Sequence, residues 1–295
     1  MKKDFFTIKT LLAIFLLSSI TVHAQYLSES YNMSKYNNSA HICTIYYSGI
    51  NYGNSIWLSR KSGKIKAKYF AYKGTTSVAE QYNEWKKGKQ IILYCSGAYT
   101  TEYDAIPVGL TINDGNVVNR KVDTKMDGLV VVEAIGGVRI ANLRETNAIY
   151  LQSLGKSVNP RNNPTHTNEF IAWAKDYSAT VFQTNLLYFK NTKYFSYVPA
   201  SAERRLLVLA TNKNNNELYH IIYNIPKSVS LTIIAEQIFY NLYYNMNMDV
   251  TGMINLDTGA RDIFQMYDEY GKTMDYLKGP HDLNIASNLL VYYYE

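Results

Sequence analysis

Four strand ends in this sequence carry polar groups whose chemistry a buried strand can tune. Ser96-Gly97-Ala98-Tyr99 follows the apolar run Ile91-Ile92-Leu93-Tyr94, and Glu102, Asp104 and Pro107-Val108-Gly109-Leu110 come next. Gln183-Thr184-Asn185 leads into Leu186-Leu187, Arg204-Arg205 enters Leu206–Leu209, and Asn255-Leu256-Asp257-Thr258-Gly259 closes another apolar run. A carboxyl, guanidinium or amide set beside a buried strand loses water, and desolvation is what shifts its protonation and sharpens its electrostatics. Taken one at a time, these groups have plain explanations. An aspartate two residues before a glycine suits a turn, and paired arginines suit a solvated strand entrance.

Other chemistries lack their residues. His41, His166, His220 and His281 are far apart, and no His-x-x-x-His or Cys-x-x-Cys spacing offers a metal site, so neither metal nor cofactor is expected. There is no Gly-x-Ser-x-Gly elbow and no glycine-rich phosphate loop. Cys43 and Cys95, the only two cysteines, leave a disulfide and a pair of buried thiols both open.

The elements that must position these groups alternate short β runs with a few helical stretches. Asn113-Asp114-Gly115 between Val108–Ile112 and Val117–Arg120 predicts a hairpin, and Gly136-Gly137 predicts a second between Leu129–Ala134 and Val138–Leu143. Helical spacing appears over residues 76–87. It recurs where Phe170, Trp173, Ala174 and Tyr177 follow Thr167 as cap, and again where Leu231, Ile234, Ile238 and Leu242 follow Pro226 and Ser228. Residues 155–168 read as a long exposed loop. The sum is α+β: one domain over 41–295, with mixed or antiparallel sheets and two or three packed helices.

Lys2, Lys3 and Lys9 precede the apolar run Leu11–Leu17, and Val22-His23-Ala24 ends in a small-x-small pattern. That is the pattern of a secretory signal peptide over 1–24, too short in its apolar part to span a bilayer. Its removal takes three Lys and one Asp and lowers the net charge from +6 to +4. So mild an excess, on scattered residues of an exported chain, speaks against a nucleic-acid partner. Export to the periplasm or cell surface is expected, with no membrane span in what remains. Residues 25–40, polar and without period, read as a loose arm. The 28 Tyr against only 6 Pro exclude disordered and low-complexity scaffolds, and their scatter through predicted strands favours sheet packing over one sugar-stacking platform.

In order and spacing, the strand-end clusters resemble the phosphodiester glycosidase family. Its Asn-Gly-Gly strand end is matched by Ser96-Gly97-Ala98-Tyr99, and its Pro-x-Gly-Leu and Asp-Gly hairpin by Pro107-Val108-Gly109-Leu110 and Asn113-Asp114-Gly115. Its Gln segment is matched by Gln183–Leu187, its strand-leading Arg by Arg204 or Arg205, and its Asn-Leu-Asp-Gly-Gly by Asn255-Leu256-Asp257-Thr258-Gly259. The resemblance runs from about Ile91 to the C-terminus. It implies hydrolysis of a sugar-1-phosphodiester in an envelope or extracellular glycan. Asp257 would stabilise the oxocarbenium-like state, Arg204 or Arg205 would neutralise phosphate, and Ser96, Gly97, Gln183 and Gly259 would help hold the substrate. Two departures, Ser96-Gly97-Ala98 for Asn-Gly-Gly and Thr258 for glycine, open a second expectation: a relative that binds glycan or protein without turning it over.

Overall fold

The computed structural model describes residues 27–72, 74–100, 106–194, 200–275 and 282–295. The expected signal peptide, Glu102, Asp104 and His281 lie outside them. Among the described residues eighteen strands follow in chain order. They are β1 Leu27–Lys35, β2 Ala40–Tyr47, β3 Ile50–Ser59, β4 Ile65–Ala71, β5 Gln90–Cys95 and β6 Thr111–Asn113. Next come β7 Asn116–Asn119, β8 Gly128–Val132, β9 Val138–Asn142, β10 Ile149–Leu151, β11 Lys156–Val158 and β12 Thr180–Phe189. The last six are β13 Thr192–Lys193, β14 Ser201–Asn212, β15 Glu217–Ser230, β16 Met248–Leu256, β17 Phe264–Met266 and β18 Asn288–Tyr294. The α-helices among the described residues are α1 Val78–Trp85, α2 Pro164–Asp176 and α3 Leu231–Tyr240.

Two sheets form a sandwich. The larger runs β1-β2-β3-β15-β14-β16-β12-β6-β7, with β8 and β13 also paired to β12 and β9 paired to β8. The smaller runs β17-β5-β18-β4. Every pairing among the described strands is antiparallel, which sharpens the expected α+β class to a sheet-dominated one. Alternation does the sorting. Leu207 and Leu209 of β14, Ile254 and Leu256 of β16 and Phe182 of β12 turn inward against Tyr69, Leu93, Leu290 and Tyr292 of the small sheet. The intervening residues Leu206, Val208, Ile221 and Met253 face α3. Helix α2 covers Val181, Leu129 and Val131, and α1 covers the far face of the small sheet through Val78 and Tyr82.

Several local expectations are revised. The supposed loose arm over 25–40 instead contains β1, which pairs with β2 along nearly its whole length; its polar residues suit a sheet edge. The loop expected over 155–168 contains β11 and the first turns of α2. That helix starts at Pro164, three residues before the expected cap: Asn163 accepts the His166 N–H at 2.8 Å, and proline at the first helical position needs no partner for its nitrogen. Thr167 donates instead to the Pro160 carbonyl at 2.6 Å. Pro226 does not open α3, because β15 runs through it to Ser230 after its ladder with β3 has ended at Asn224. The Asp114-Gly115 hairpin forms as expected, with φ of 48° and 76°. Cys43 and Cys95 are free thiols. Cys43 packs on the helix side of the large sheet and Cys95 between the sheets, so the large sheet itself separates them.

Candidate functional site

Asp257 follows directly on β16, where the large sheet meets the end of β5. Its N–H donates to the Gly97 carbonyl at 3.2 Å, which ties the two strand ends together. Its carboxyl is buried, 3% exposed. One oxygen accepts the Gly259 N–H at 2.9 Å and the other the Thr100 hydroxyl at 3.4 Å. Burial pushes this carboxyl above its ordinary value. The Gly259 bond opposes that, Asp262 reinforces it, and Thr100 and Arg205 oppose it again.

Around Asp257 are polar groups left without partners. The Tyr69 hydroxyl and the Asn255 Oδ1 are both buried and unbonded among the described residues. The Tyr69 ring stacks on Phe182 at 4.5 Å between centroids. It also lies so close to Gly97 that an added Cβ there would come within 3.0 Å of it. Burial raises the Tyr69 pKa, and the charge of Asp257 raises it further, which puts the hydroxyl within electrostatic reach of the carboxyl. The Asn255 Nδ2 donates to the Tyr99 hydroxyl. Tyr99 is itself raised by burial and lowered by hydrogen bonds from Asn185 and Asn255. A buried orphan polar atom is destabilising by about 1–3 kcal/mol unless something satisfies it.

The other residues expected in the site divide sharply. Gly97 and Ala98 donate their N–H groups to Asn288 Oδ1 at 2.8 Å each, and Asn288 Nδ2 returns a bond to the Ala98 carbonyl at 2.9 Å. The Ser96 hydroxyl donates to the Arg261 carbonyl and accepts the Ile263 N–H, both at 3.0 Å, so it fastens the chain after Asp257. Gly259 belongs to the same turn. These residues share Asp257's neighbourhood as its supports.

Arg205 is consumed by structure. It is 3% exposed and makes a forked ion pair with Asp262, two bonds to Asn224 Oδ1 at 3.1 and 3.0 Å, and weaker ones to the Asp257 and Ile263 carbonyls. Its plane also lies over Phe264, 4.8 Å from the ring centre. Arg204, half-buried on the opposite face of β14, bonds the Val229 and Ala200 carbonyls at 3.1 and 2.8 Å and feels Tyr99. It is therefore the arginine beside the Tyr99–Asn255 pair.

Gln183 is fully buried with its capacity filled. It accepts the Leu110 and Asp123 N–H groups at 3.0 Å and donates to the Asp123 and Met126 carbonyls at 2.6 Å. It clamps the 108–126 chain and makes no bond toward Asp257. Sequence reasoning missed Tyr69, Asn288 and Asp262. The last two had a readable signal, a polar residue at the mouth of an apolar strand, which is the criterion that found Asp257.

Among the described residues no cluster of His, Cys, Asp and Glu could hold a metal ion, and no helix is long and apolar enough to cross a membrane.

No family model and no curated protein matches the chain. Among solved structures it is similar to the catalytic domain of zebrafish N-acetylglucosamine-1-phosphodiester alpha-N-acetylglucosaminidase, auto-inhibited by its pro-peptide. There the identity is 12% and the TM-score 0.49, with 92% of this chain and 88% of that one covered. It is also similar to a hypothetical protein from Synechocystis, at 10% identity and a TM-score of 0.43, covering 92% of this chain and 62% of that one. Neither score is high enough to bear on the chemistry of the site, which stands on its own geometry.

Proposed function

We propose that the chain is an exported phosphodiester glycosidase-like protein that hydrolyses a sugar-1-phosphodiester at Asp257. The observation that carries this reading is the buried Asp257 carboxyl with two orphan buried polar atoms, Tyr69 Oη and Asn255 Oδ1, near it. A polyhydroxylated ligand supplies the donors and acceptors that such atoms lack. As the bond between the anomeric carbon and the phosphate oxygen breaks, its electron pair leaves with the phosphate and positive charge grows on the sugar. An ionised Asp257 stabilises that charge, and water completes the replacement. Arg204, with its guanidinium at the Tyr99 edge, takes the phosphate role; Arg205 acts through Asp262 as a support.

A second reading, binding of glycan without turnover, is favoured by one specific observation. Thr258 stands where the resembled family has glycine, and its hydroxyl is tied to the Glu203 carbonyl at 2.9 Å. One experiment separates the two. Wild type and Asp257→Asn are assayed on a panel of sugar-1-phosphodiesters and in parallel for glycan binding. Turnover that falls at least about 100-fold in the variant supports hydrolysis. Equal turnover by the two proteins sinks the role of Asp257, and binding without turnover selects the second reading. Export is tested by the mass of the protein recovered outside the cytoplasm, which should begin at Gln25.

A further inference from the structure

Glu29 stands outside this site, on the edge strand β1, and none of the chemistry above uses it. Its carboxylate receives four donors: the Tyr223 hydroxyl at 2.7 Å and Asn241 Nδ2 at 3.2 Å on one oxygen, the Ser55 hydroxyl and Trp57 Nε1 at 2.9 Å on the other. Burial pushes this carboxyl above its ordinary value against the pull of the four bonds, and among the described residues no cation is one of the groups that act on it. Buried charges are ordinarily paired. Glu29, partly buried, is ringed among the described residues by neutral donors only, and two of them, the indole and the amide N–H, match an ionised partner.

Glu29 also borders a cavity of about 250 Å³ walled by Trp57, Tyr219, Tyr31, Met246 and Met248. Trp57 and Tyr219 meet nearly edge to face, 5.6 Å apart and inclined at 75°. His41, Cys43 and Asn212 complete the lining and add no positive charge: burial lowers the His41 imidazole below its ordinary range and holds the Cys43 thiol up at about 12. The five-residue π-helical turn Asn241–Asn245 aims Asn241 at Glu29 and ends beside Met246; such turns concentrate at functional positions.

We propose that this cavity binds a methylated ammonium head group, free or as part of a larger molecule. The reason lies in what Glu29 still offers. Four donors fill its lone pairs, so a ligand gains little by hydrogen-bonding to it, whereas its negative charge remains uncompensated. A quaternary ammonium needs that charge and aromatic faces, and has no N–H to satisfy. A metal ion would need several free oxygen ligands, which the aromatic and thioether walls do not supply.

The test is calorimetric titration of the whole protein with choline and with 3,3-dimethyl-1-butanol, the neutral carbon isostere. Choline should bind saturably, and the isostere about 10-fold more weakly or worse, a difference of about 1.4 kcal/mol. Glu29→Gln should lose about 10-fold for choline and nothing for the isostere. Should that variant misfold by circular dichroism, Tyr219→Leu takes its place, with a several-fold loss expected. Retention on phosphatidylcholine vesicles but not phosphatidylglycerol vesicles, competed by choline, would identify a lipid head group; choline binding alone would identify a free solute. Equal affinity for choline and its isostere overturns the proposal, as does absence of saturation by choline up to about 100 mM.

Discussion

Removing the Asp262 charge tests whether Arg205 is a strut or a hand held out to ligand. In Asp262→Asn the guanidinium stays buried at 3% exposure and loses its only carboxylate ion partner among the described residues. Breaking a buried pair from one side is destabilising by about 3–5 kcal/mol, because an uncompensated charge remains. Here Asn224 and the Asp257 and Ile263 carbonyls still accept from Arg205, which argues for the low end, about 3 kcal/mol. At about 2–4 °C per kcal/mol for a chain of this size, Tm should fall by about 6–12 °C. Urea unfolding followed by circular dichroism measures it, and the double variant Arg205→Met/Asp262→Leu should recover most of the loss, since an apolar pair tolerates burial. A loss under about 1 kcal/mol, the range of solvated pairs, would refute the strut reading and return Arg205 to the candidate substrate groups. The substitution also has an electrostatic side effect. Asp262 pushes the Asp257 carboxyl up, so its neutralisation should move the acid limb of any Asp257-dependent activity to lower pH.

Three other outcomes follow from the same geometry. Because burial raises Asp257 in the folded state, its contribution to stability is complete below its ordinary value of 3.8 and is lost as pH rises through the folded value. Asp257→Asn should therefore melt higher than wild type at pH 7, with the gap closing toward pH 3.8; a lower Tm at pH 7 contradicts this. Gly109→Ala forces a side chain onto φ +82° and brings a Cβ to 2.6 Å from Gln183 Oε1. It should destabilise by about 2 kcal/mol or more in chemical denaturation. Cys43 and Cys95, both pushed up to about 12, should resist thiol reagents in the native protein at pH 8. Both should then titrate on denaturation without reductant; a single reactive thiol or none would mean the free-thiol assignment is wrong.

What the sequence made legible was local. Asn113-Asp114-Gly115 carries its own turn chemistry, the Phe170–Tyr177 stripe its own helical face, and Ile91–Tyr94 its own buried strand. The polar strand ends at Ser96 and Asp257 were also visible, and they do meet. Their roles were not visible, because a role depends on what a side chain finds across the fold. Gln183 and a substrate-binding glutamine look alike until the Leu110, Asp123 and Met126 backbones are seen to fill it. Asn288 reaches Gly97 from 191 positions away, and Arg205 finds Asp262 from 57 away. The strand β1 was unreadable for a related reason: an edge strand with few apolar residues takes its order from β2, and its own pattern does not announce it.

The smaller sheet has a consequence for how the chain is made. Its order, β17-β5-β18-β4, seats the last strand in the middle, between partners synthesised about two hundred residues sooner. Until Asn288–Tyr294 emerges, β4 and β5 each present an open, apolar edge to whatever else is nearby. Vectorial synthesis therefore cannot finish this layer piecemeal. A nascent or shortened chain lacking those seven residues also lacks Asn288, and with it the clamp on Gly97 and Ala98. Asn288–Tyr294 thus acts as a keystone: the layer that backs Asp257 closes only once that strand is seated between β4 and β5.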